Sequence, residues 1–494
     1  MVDRSQNSSR DGEVVVTSDG SEKEKGEGQT QVASGPLDWD GPDDVDNPWN
    51  WSPAKRWYGT IVPGLLCLLV TFSSSVYVSG VYEVAAKFNV SMTVALLGIS
   101  MYVIGLGLGP MMGAPLSEVF GRKMVYFVNL PIFLLFTMGA GLAQNIETLV
   151  ICRMFAGLFG GPALAISAGS FVDVWDMKTS GLAVSVQAIA TFMGPALGPL
   201  VGGYLAEYKG WRWTMWIILI FGGFVAVLVY FLEESYKPVI LKRRAIARGL
   251  PLPPKPDPKT ALAMIFTITI ARPTKMLFKE PIVQWVSVYS AFAFAVLFGF
   301  FEAYPFTFQS IHGFSLSQTG LAFLGIAGGL ILGCAIYLIQ DRLVYMPAHK
   351  KGTAEPELRM VPAMIGCFLM PIGLFWFAWT SKASIHWIWP ILAGVPFAAG
   401  LVLLFLSSVM YCLEIYPPLV AASAMAALGL LRYILAMAFP LFTVNMYKNL
   451  GVPWATSIFG FISIALMPIP WVFKKWGPRI RARSKFDAIR DVDN

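Results

Sequence analysis

About a dozen apolar stretches of membrane-crossing length recur along this chain, and no other feature limits its fold as strongly. A spanning helix needs roughly 20 predominantly apolar residues. Such stretches lie near 57–80, 93–113, 124–143, 148–171, 182–206, 213–232, 282–303, 317–340, 360–380, 387–411, 418–441 and 455–474. Of all residues, 56% are hydrophobic and only 14% charged, where soluble domains carry about 25% charge. The chain therefore reads as an all-α polytopic membrane protein with 12 transmembrane helices. The lipid bilayer is its expected surrounding. Cys67, Cys152, Cys334, Cys367 and Cys412 lie in or beside apolar stretches with no CxxC pair. Neither a disulfide framework nor a metal site is expected.

Twelve spans place both termini on one side, and basic residues choose that side. The loop 233–281 carries Lys237, Lys242, Arg243, Arg244, Arg248, Lys255, Lys259, Arg272, Lys275 and Lys279. Loop 341–359 adds Arg342, Lys350, Lys351 and Arg359, and the tail adds Lys474, Lys475, Arg479, Arg481, Arg483, Lys485 and Arg490. The alternate loops hold only Lys87, Lys209, Arg212, Lys382 and Lys448. Both termini are thus expected to be cytoplasmic, and the net charge of +7 reflects these loops and not a nucleic-acid partner. Residues 1–50 are polar and acidic, lack the apolar core of a secretory signal, and read as a disordered cytoplasmic tail. The expected plan is a six-helix half over 51–232, a linker over 233–281, a second six-helix half over 282–474, and a basic tail over 475–494. Of three Asn-x-Ser sequons, Asn7 and Asn50 fall on the cytoplasmic side. Asn89 falls on the outer side and is the glycosylation candidate.

Several motifs sit at fixed places in this frame. The second loop reads Ala114-Pro115-Leu116-Ser117-Glu118-Val119-Phe120-Gly121-Arg122-Lys123. It is either a tight turn with a basic edge or a gate latch. As a latch, Glu118 would sit at a helix N-terminus in the other half, and Arg122 would pair with Asp173 at the end of span 4. Span 4 contains Arg153, Gly157 and Gly161. An arginine inside a span is expensive; it serves substrate or coupling, or it bonds freed carbonyls of a neighbouring helix. Span 5 carries Met193-Gly194-Pro195-Ala196-Leu197-Gly198-Pro199-Leu200-Val201-Gly202-Gly203. Small residues allow close backbone approach and proline bends a helix, so this run shapes a packing seam with span 8 or its equivalent, a sliding seam between the halves, or both. Glu302 in span 7 is a candidate proton carrier if it faces a cavity, and a wet interfacial residue otherwise. Arg432 lies well inside an apolar run, and Gln187 is a candidate cavity group.

Together these segments resemble the major facilitator superfamily, and within it the fungal 12-spanner drug:proton antiporters. The resemblance rests on the Pro-Leu-Ser-Glu loop ending at Gly121-Arg122-Lys123 and on Arg153-x-x-x-Gly157-x-x-x-Gly161. It rests also on Gly194-Pro195-x-x-Gly198, Asn47-Pro48, Leu241-Lys242-Arg243-Arg244, Arg272-Pro273, Phe301-Glu302-Ala303 and Pro356-Glu357-Leu358-Arg359. It covers about residues 46–485. It implies two six-helix halves in the major facilitator fold, alternating access, and export coupled to inward proton flow. Two elements depart from the family pattern, Tyr411-Cys412-Leu413-Glu414-Ile415-Tyr416 and Leu428-Gly429-Leu430-Leu431-Arg432. The second lacks an Asn that relatives carry.

The expected function is secondary active export of a small organic molecule, such as a secondary metabolite, organic acid or xenobiotic, in exchange for protons. Arg153, Glu302, Gln187 and Arg432 are the coupling or substrate candidates. Glu118, Gly121, Arg122, Lys123 and Asp173 form the gate. Gly194, Pro195, Gly198, Gly202 and Gly203 form the antiporter seam. A plasma-membrane monomer without cofactor is expected, with a vacuolar or vesicle membrane as the other location. Few acids lie at the span centres, which leans against a polyamine cargo, and the deep arginines lean toward an anion. An organic-anion or polyamine facilitator without tight proton coupling and a transporter-like nutrient sensor are the competing classes. An enzyme is not expected, since His312, His349 and His386 are scattered, and no phosphate-binding Gly-x-x-x-x-Gly-Lys-[Ser/Thr] run exists to admit ATP drive.

Overall fold

Polar caps decide where the long apolar runs begin as helices. Ser52, Ser91 and Asn145 each accept a first-turn backbone N–H, from Lys55, Val94 and Thr148, which satisfies donors that a helix leaves open. Ser315 and Gln318 form a reciprocal capping box at the start of span 8. The computed structural model describes residues 38–175, 181–250, 267–484 and 486, and these are helical without strands. Asn7, Lys255, Lys259, Lys485 and Arg490 lie outside the described residues.

Among the described residues, 11 helices are long and apolar enough to cross a membrane. Spans 1 to 6 are Pro53–Phe88, Met92–Phe120, Arg122–Leu142, Ile146–Val174, Gly181–Lys209 and Trp213–Tyr230. Spans 7 to 10 are Pro281–Ser310, Leu316–Lys350, Pro356–Thr380 and Ile388–Ile415. The last run, Val420–Ala482, is 63 residues long, about three times the roughly 20 residues that one crossing needs. Gly451, at φ 72 and ψ 160, breaks it into spans 11 and 12. The fold is thus the expected twelve spans in two halves. Span 6 turns Ile220, Phe224 and Val227 outward, each more than half exposed. Exposed apolar area of this kind marks contact with lipid.

Glycine brings helices together in both halves. A Cβ on Gly105 of span 2 would fall 2.6 Å from Leu158 N of span 4, and one on Gly161 would fall 2.8 Å from Leu106 O. In the second half, a Cβ on Gly329 of span 8 would fall 2.8 Å from Ala398 Cβ of span 10. Small residues allow this backbone approach, which supplies packing where lipid offers no hydrophobic drive.

The two halves meet at the end away from the basic loops. There a Cβ on Gly203 of span 5 would fall 2.5 Å from Leu316 O of span 8, and one on Gly320 would fall 2.5 Å from Pro199 O. Ser317 N donates to Glu207 Oε2 at 2.7 Å across the same contact. Ser100 Oγ of span 2 donates to Met437 O of span 11 at 2.9 Å. Toward the basic end, Leu65, Leu68, Ala190, Met193, Phe405, Val409, Gly429 and Arg432 stay partly exposed.

Residues 39–50 correct the expectation of a disordered tail; residues 1–37 lie outside the described ones. This segment straps onto the linker helix Lys237–Ala247. Arg244 forms a bidentate pair with Asp44 at 2.6 and 2.7 Å and also meets Asp40 and Asp46. Arg248 donates to Asp40 at 2.9 Å. Asn50 Nδ2 closes the turn by donating to Pro42 O at 2.7 Å. Acidic composition reads as disorder when no partner is considered; the linker helix supplies that partner.

Candidate functional site

The second loop is a charged knot inside the first half. Arg122 Nε pairs with Asp173 Oδ2 at 3.2 Å, and Arg122 Nη1 donates to Ser117 Oγ at 2.6 Å. Gly121 takes φ 95, a backbone conformation that L side chains avoid. Its missing side chain leaves room for Glu234, which follows span 6. Glu234 Oε1 accepts from Arg122 N at 2.9 Å and Tyr236 N at 3.0 Å, and Oε2 accepts from Lys123 N at 3.2 Å. A carboxylate thus caps span 3, where a helix N-terminus favours negative charge. Ser235 Oγ donates to Asp173, and the Tyr236 ring lies 4.6 Å from the Arg122 guanidinium. Burial pushes the Tyr236 phenol up. Glu118 is exposed and makes no hydrogen bond or ion pair among the described residues. In this state it does not reach a helix of the other half.

A matching knot closes the second half at the same end. Arg359 donates to Asp341 at 2.8 Å and to Glu414 at 2.9 Å, and it stacks on Tyr345. Glu357 and Arg481 form a fully buried pair at 2.9 Å. These partners were not legible in the sequence, and neither was Glu234. An acid in the few residues after a span is the available signal, but it does not name its partner.

Arg153 is buried where spans 1, 2 and 4 meet. It donates to Ser73 O at 2.8 Å, Gly98 O at 3.2 Å and Ser74 O at 3.5 Å. Tyr77 N–H turns to Ser75 O at the end of the regular helix, so the Ser73 carbonyl loses its ordinary helical donor. Tyr102 and Tyr77 cover the guanidinium at 4.3 and 5.2 Å. The charge is therefore spent on carbonyls of neighbouring helices, one of the two roles set out for it. Gln187 donates to Ser167 Oγ at 2.5 Å and Cys67 Sγ at 3.2 Å, tying span 5 to spans 4 and 1.

The glycines of span 5 divide between two seams. Gly194, Gly198 and Gly202 face span 1 of their own half, which corrects the expectation that the whole run packs on span 8 between the halves. A Cβ on Gly194 would fall 2.5 Å from Phe72 N, and one on Gly198 would fall 2.7 Å from Val76 N. Pro195 lies buried on the same stretch, and Gly203 faces the other half. Helical phase, one turn per 3.6 residues, makes this division.

Among the described residues of the second half, the Glu302 carboxyl and the Arg432 guanidinium lack such partners. Glu302 is 4% exposed, and its Oε1 has no hydrogen-bond partner. Arg432 is partly exposed and lies 4.8–5.1 Å from the rings of Tyr433, Phe405 and Phe294. Asn89 is exposed at the end away from the basic loops, in the left-handed conformation at φ 52. Ser91 of its sequon is engaged as the cap of span 2.

Residues 64–440 match the model of the family described as Major Facilitator Superfamily. The chain is similar to Polyamine transporter 4 of Saccharomyces cerevisiae, 43% identical over 91% of this chain and 73% of that protein. It is similar to the citrinin biosynthesis cluster MFS transporter mrr1 of Monascus ruber, 39% identical over 93% and 94%. It is also similar to the multidrug transporter mdrA of Aspergillus fumigatus, 40% identical over 91% and 75%. Among solved structures it resembles the proton:xylose symporter XylE bound to 6-bromo-6-deoxy-D-glucose. That TM-score is 0.63 at 19% identity, over 86% of this chain and 97% of the other; at this identity the likeness speaks for the fold alone.

Proposed function

We propose that this chain, which belongs to the major facilitator superfamily of small-molecule transporters, exports a small organic molecule from the cytoplasm in exchange for protons. The observation that carries this reading is Glu302, a buried carboxyl without a hydrogen-bond partner on span 7. An unpaired charge is costly to bury. A carboxyl there gains and loses its proton as the halves rock and water reaches it, which ties proton movement to access. The closed seam at Gly203 and Leu316, with partly exposed side chains toward the basic end, supports a state open to the cytoplasm. Names of relatives support export: an efflux pump of Fusarium oxysporum, 39% identical, stands among them. The knots around Arg122 and Arg359 are rigid ends of the moving halves, and Glu118 engages the second half in the opposite state. The membrane is the plasma membrane, with both termini cytoplasmic.

Metabolite profiling of cells and medium after deletion and overexpression tests the reading. A compound retained on deletion and enriched outside on overexpression is the expected result. In vesicles holding the purified chain, that compound should drive counter-movement of protons, and Glu302→Gln should abolish the counter-movement while binding persists. Unchanged proton movement in Glu302→Gln removes Glu302 from the mechanism.

A further inference from the structure

Arg432 differs from Arg122, Arg153, Arg359 and Arg481. Arg122 and Arg359 are paired with carboxylates, Arg481 is paired with Glu357, and Arg153 is held by carbonyls. Arg432 makes one hydrogen bond, a 3.3 Å contact from Nη2 to Tyr433 Oη. Its Nε is buried without a partner, and no carboxylate lies within ion-pair distance among the described residues. A guanidinium presents five donors in a planar fork, suited to a carboxylate held by two parallel bonds. Most of that fork is unused.

The walls around it are aromatic. Phe294, Phe405 and Tyr433 come from spans 7, 10 and 11 and hold the guanidinium at 5.1, 5.0 and 4.8 Å. Phe192 of span 5 joins from the other half, with its ring centre 4.7 Å from that of Phe405 and 6.2 Å from that of Phe294. The site is therefore roofed by one half and charged by the other, and relative movement of the halves must change it. Partly exposed Phe405, Val409 and Gly429 lead from it toward the basic end.

We propose that Arg432 is an anion-recognition site for an aromatic carboxylate, with the carboxylate on the guanidinium fork and the ring against Phe294 and Phe405. This names a cargo class for the export reading and rests on it. Aromatic rings favour offset or edge contacts with such walls. A desolvated charge-assisted pair discriminates against an uncharged isostere by about tenfold or more.

The test is equilibrium binding to the purified full chain in nanodiscs, with 2-naphthoate, its neutral match 2-naphthalenemethanol, and spermidine as probes. Wild type should hold 2-naphthoate at least about tenfold tighter than the alcohol. Arg432→Gln should erase that difference. Phe405→Leu should weaken acid and alcohol alike. Equal binding of acid and alcohol by wild type, or tighter binding of spermidine than of the acid, overturns the inference without any variant. An acid preference that survives Arg432→Gln overturns it too. Proton-driven efflux from loaded vesicles separates this from the export reading. Arg432-dependent binding without any efflux sinks export alone. Efflux of a cation or neutral compound that ignores Arg432 sinks the anion site alone.

Discussion

Replacing Glu234 with Ala removes the acceptor that joins three backbone donors across 112 residues of sequence. Glu234 is 8% exposed, and its carboxylate receives the N–H groups of Arg122, Lys123 and Tyr236 at 2.9, 3.2 and 3.0 Å. Loss of a helix N-cap costs about 0.5–2 kcal/mol. The negative charge at a partly buried helix start adds up to about 2 kcal/mol, and donors left without partners add about 1–3 kcal/mol. These overlap, because they describe the same carboxylate, so the expected loss is about 3 kcal/mol. All of its partners belong to the first half or to the segment just after span 6, so both access states should lose equally. For a chain of this size the melting temperature should fall by roughly 2 °C per kcal/mol or less, a drop of about 3–6 °C. The assay is thermal unfolding of the purified chain, read by intrinsic fluorescence, beside transport kinetics. KM should stay unchanged in the surviving protein. Gly121→Ala should match or exceed the loss, because its Cβ would fall 2.7 Å from Glu234 Cδ at a φ of 95. An unchanged melting temperature, or a shifted KM at normal stability, would refute a brace confined to the first half.

Three further outcomes are expected. Arg153→Lys should lower stability by about 3 kcal/mol, because one ammonium does not span the carbonyls of Ser73, Ser74 and Gly98; a melting curve equal to wild type counts against it. Gly198→Val should prevent membrane accumulation, since its side chain would enter the backbone of span 1 at Val76. Normal abundance of a tagged Gly198→Val protein would sink that. The strap should be released by acid: the Arg248 and Arg244 guanidinium groups hold the Asp40 and Asp44 carboxyls below their ordinary value of 3.8. Lowered folded values stabilise the strap fully above that ordinary value and lose this contribution as pH falls through the folded ones. Spin labels at Asp43→Cys and Arg243→Cys should report a short distance from pH 7 down to about pH 3.8 and a lengthening one only as pH falls further, through the lowered folded values, while Arg244→Glu should separate them at every pH.

Span number and the charge of each connecting loop followed from the sequence, because crossing a bilayer is a local demand on about 20 consecutive residues. The Arg122 to Asp173 pair could be named there as well, since both charges fall at span ends on one face. Tertiary structure decided the rest. Glu234 reaches Gly121 only because spans 3 to 6 return the chain to the same end. Helical phase turns Gly194 and Gly198 away from Gly203, and packing put the first two against span 1 and the last against Leu316. The acidic residues near Asp44 looked unstructured until the linker helix placed Arg244 beside them. Glu118, expected at another helix, stands exposed. Arg153 and Arg432 are alike as letters in apolar runs. One meets carbonyls freed where a helix changes form, and the other meets rings from three spans with its fork open. The cost of burying a charge is legible in one dimension; what meets that cost is set by helices that share no sequence neighbourhood.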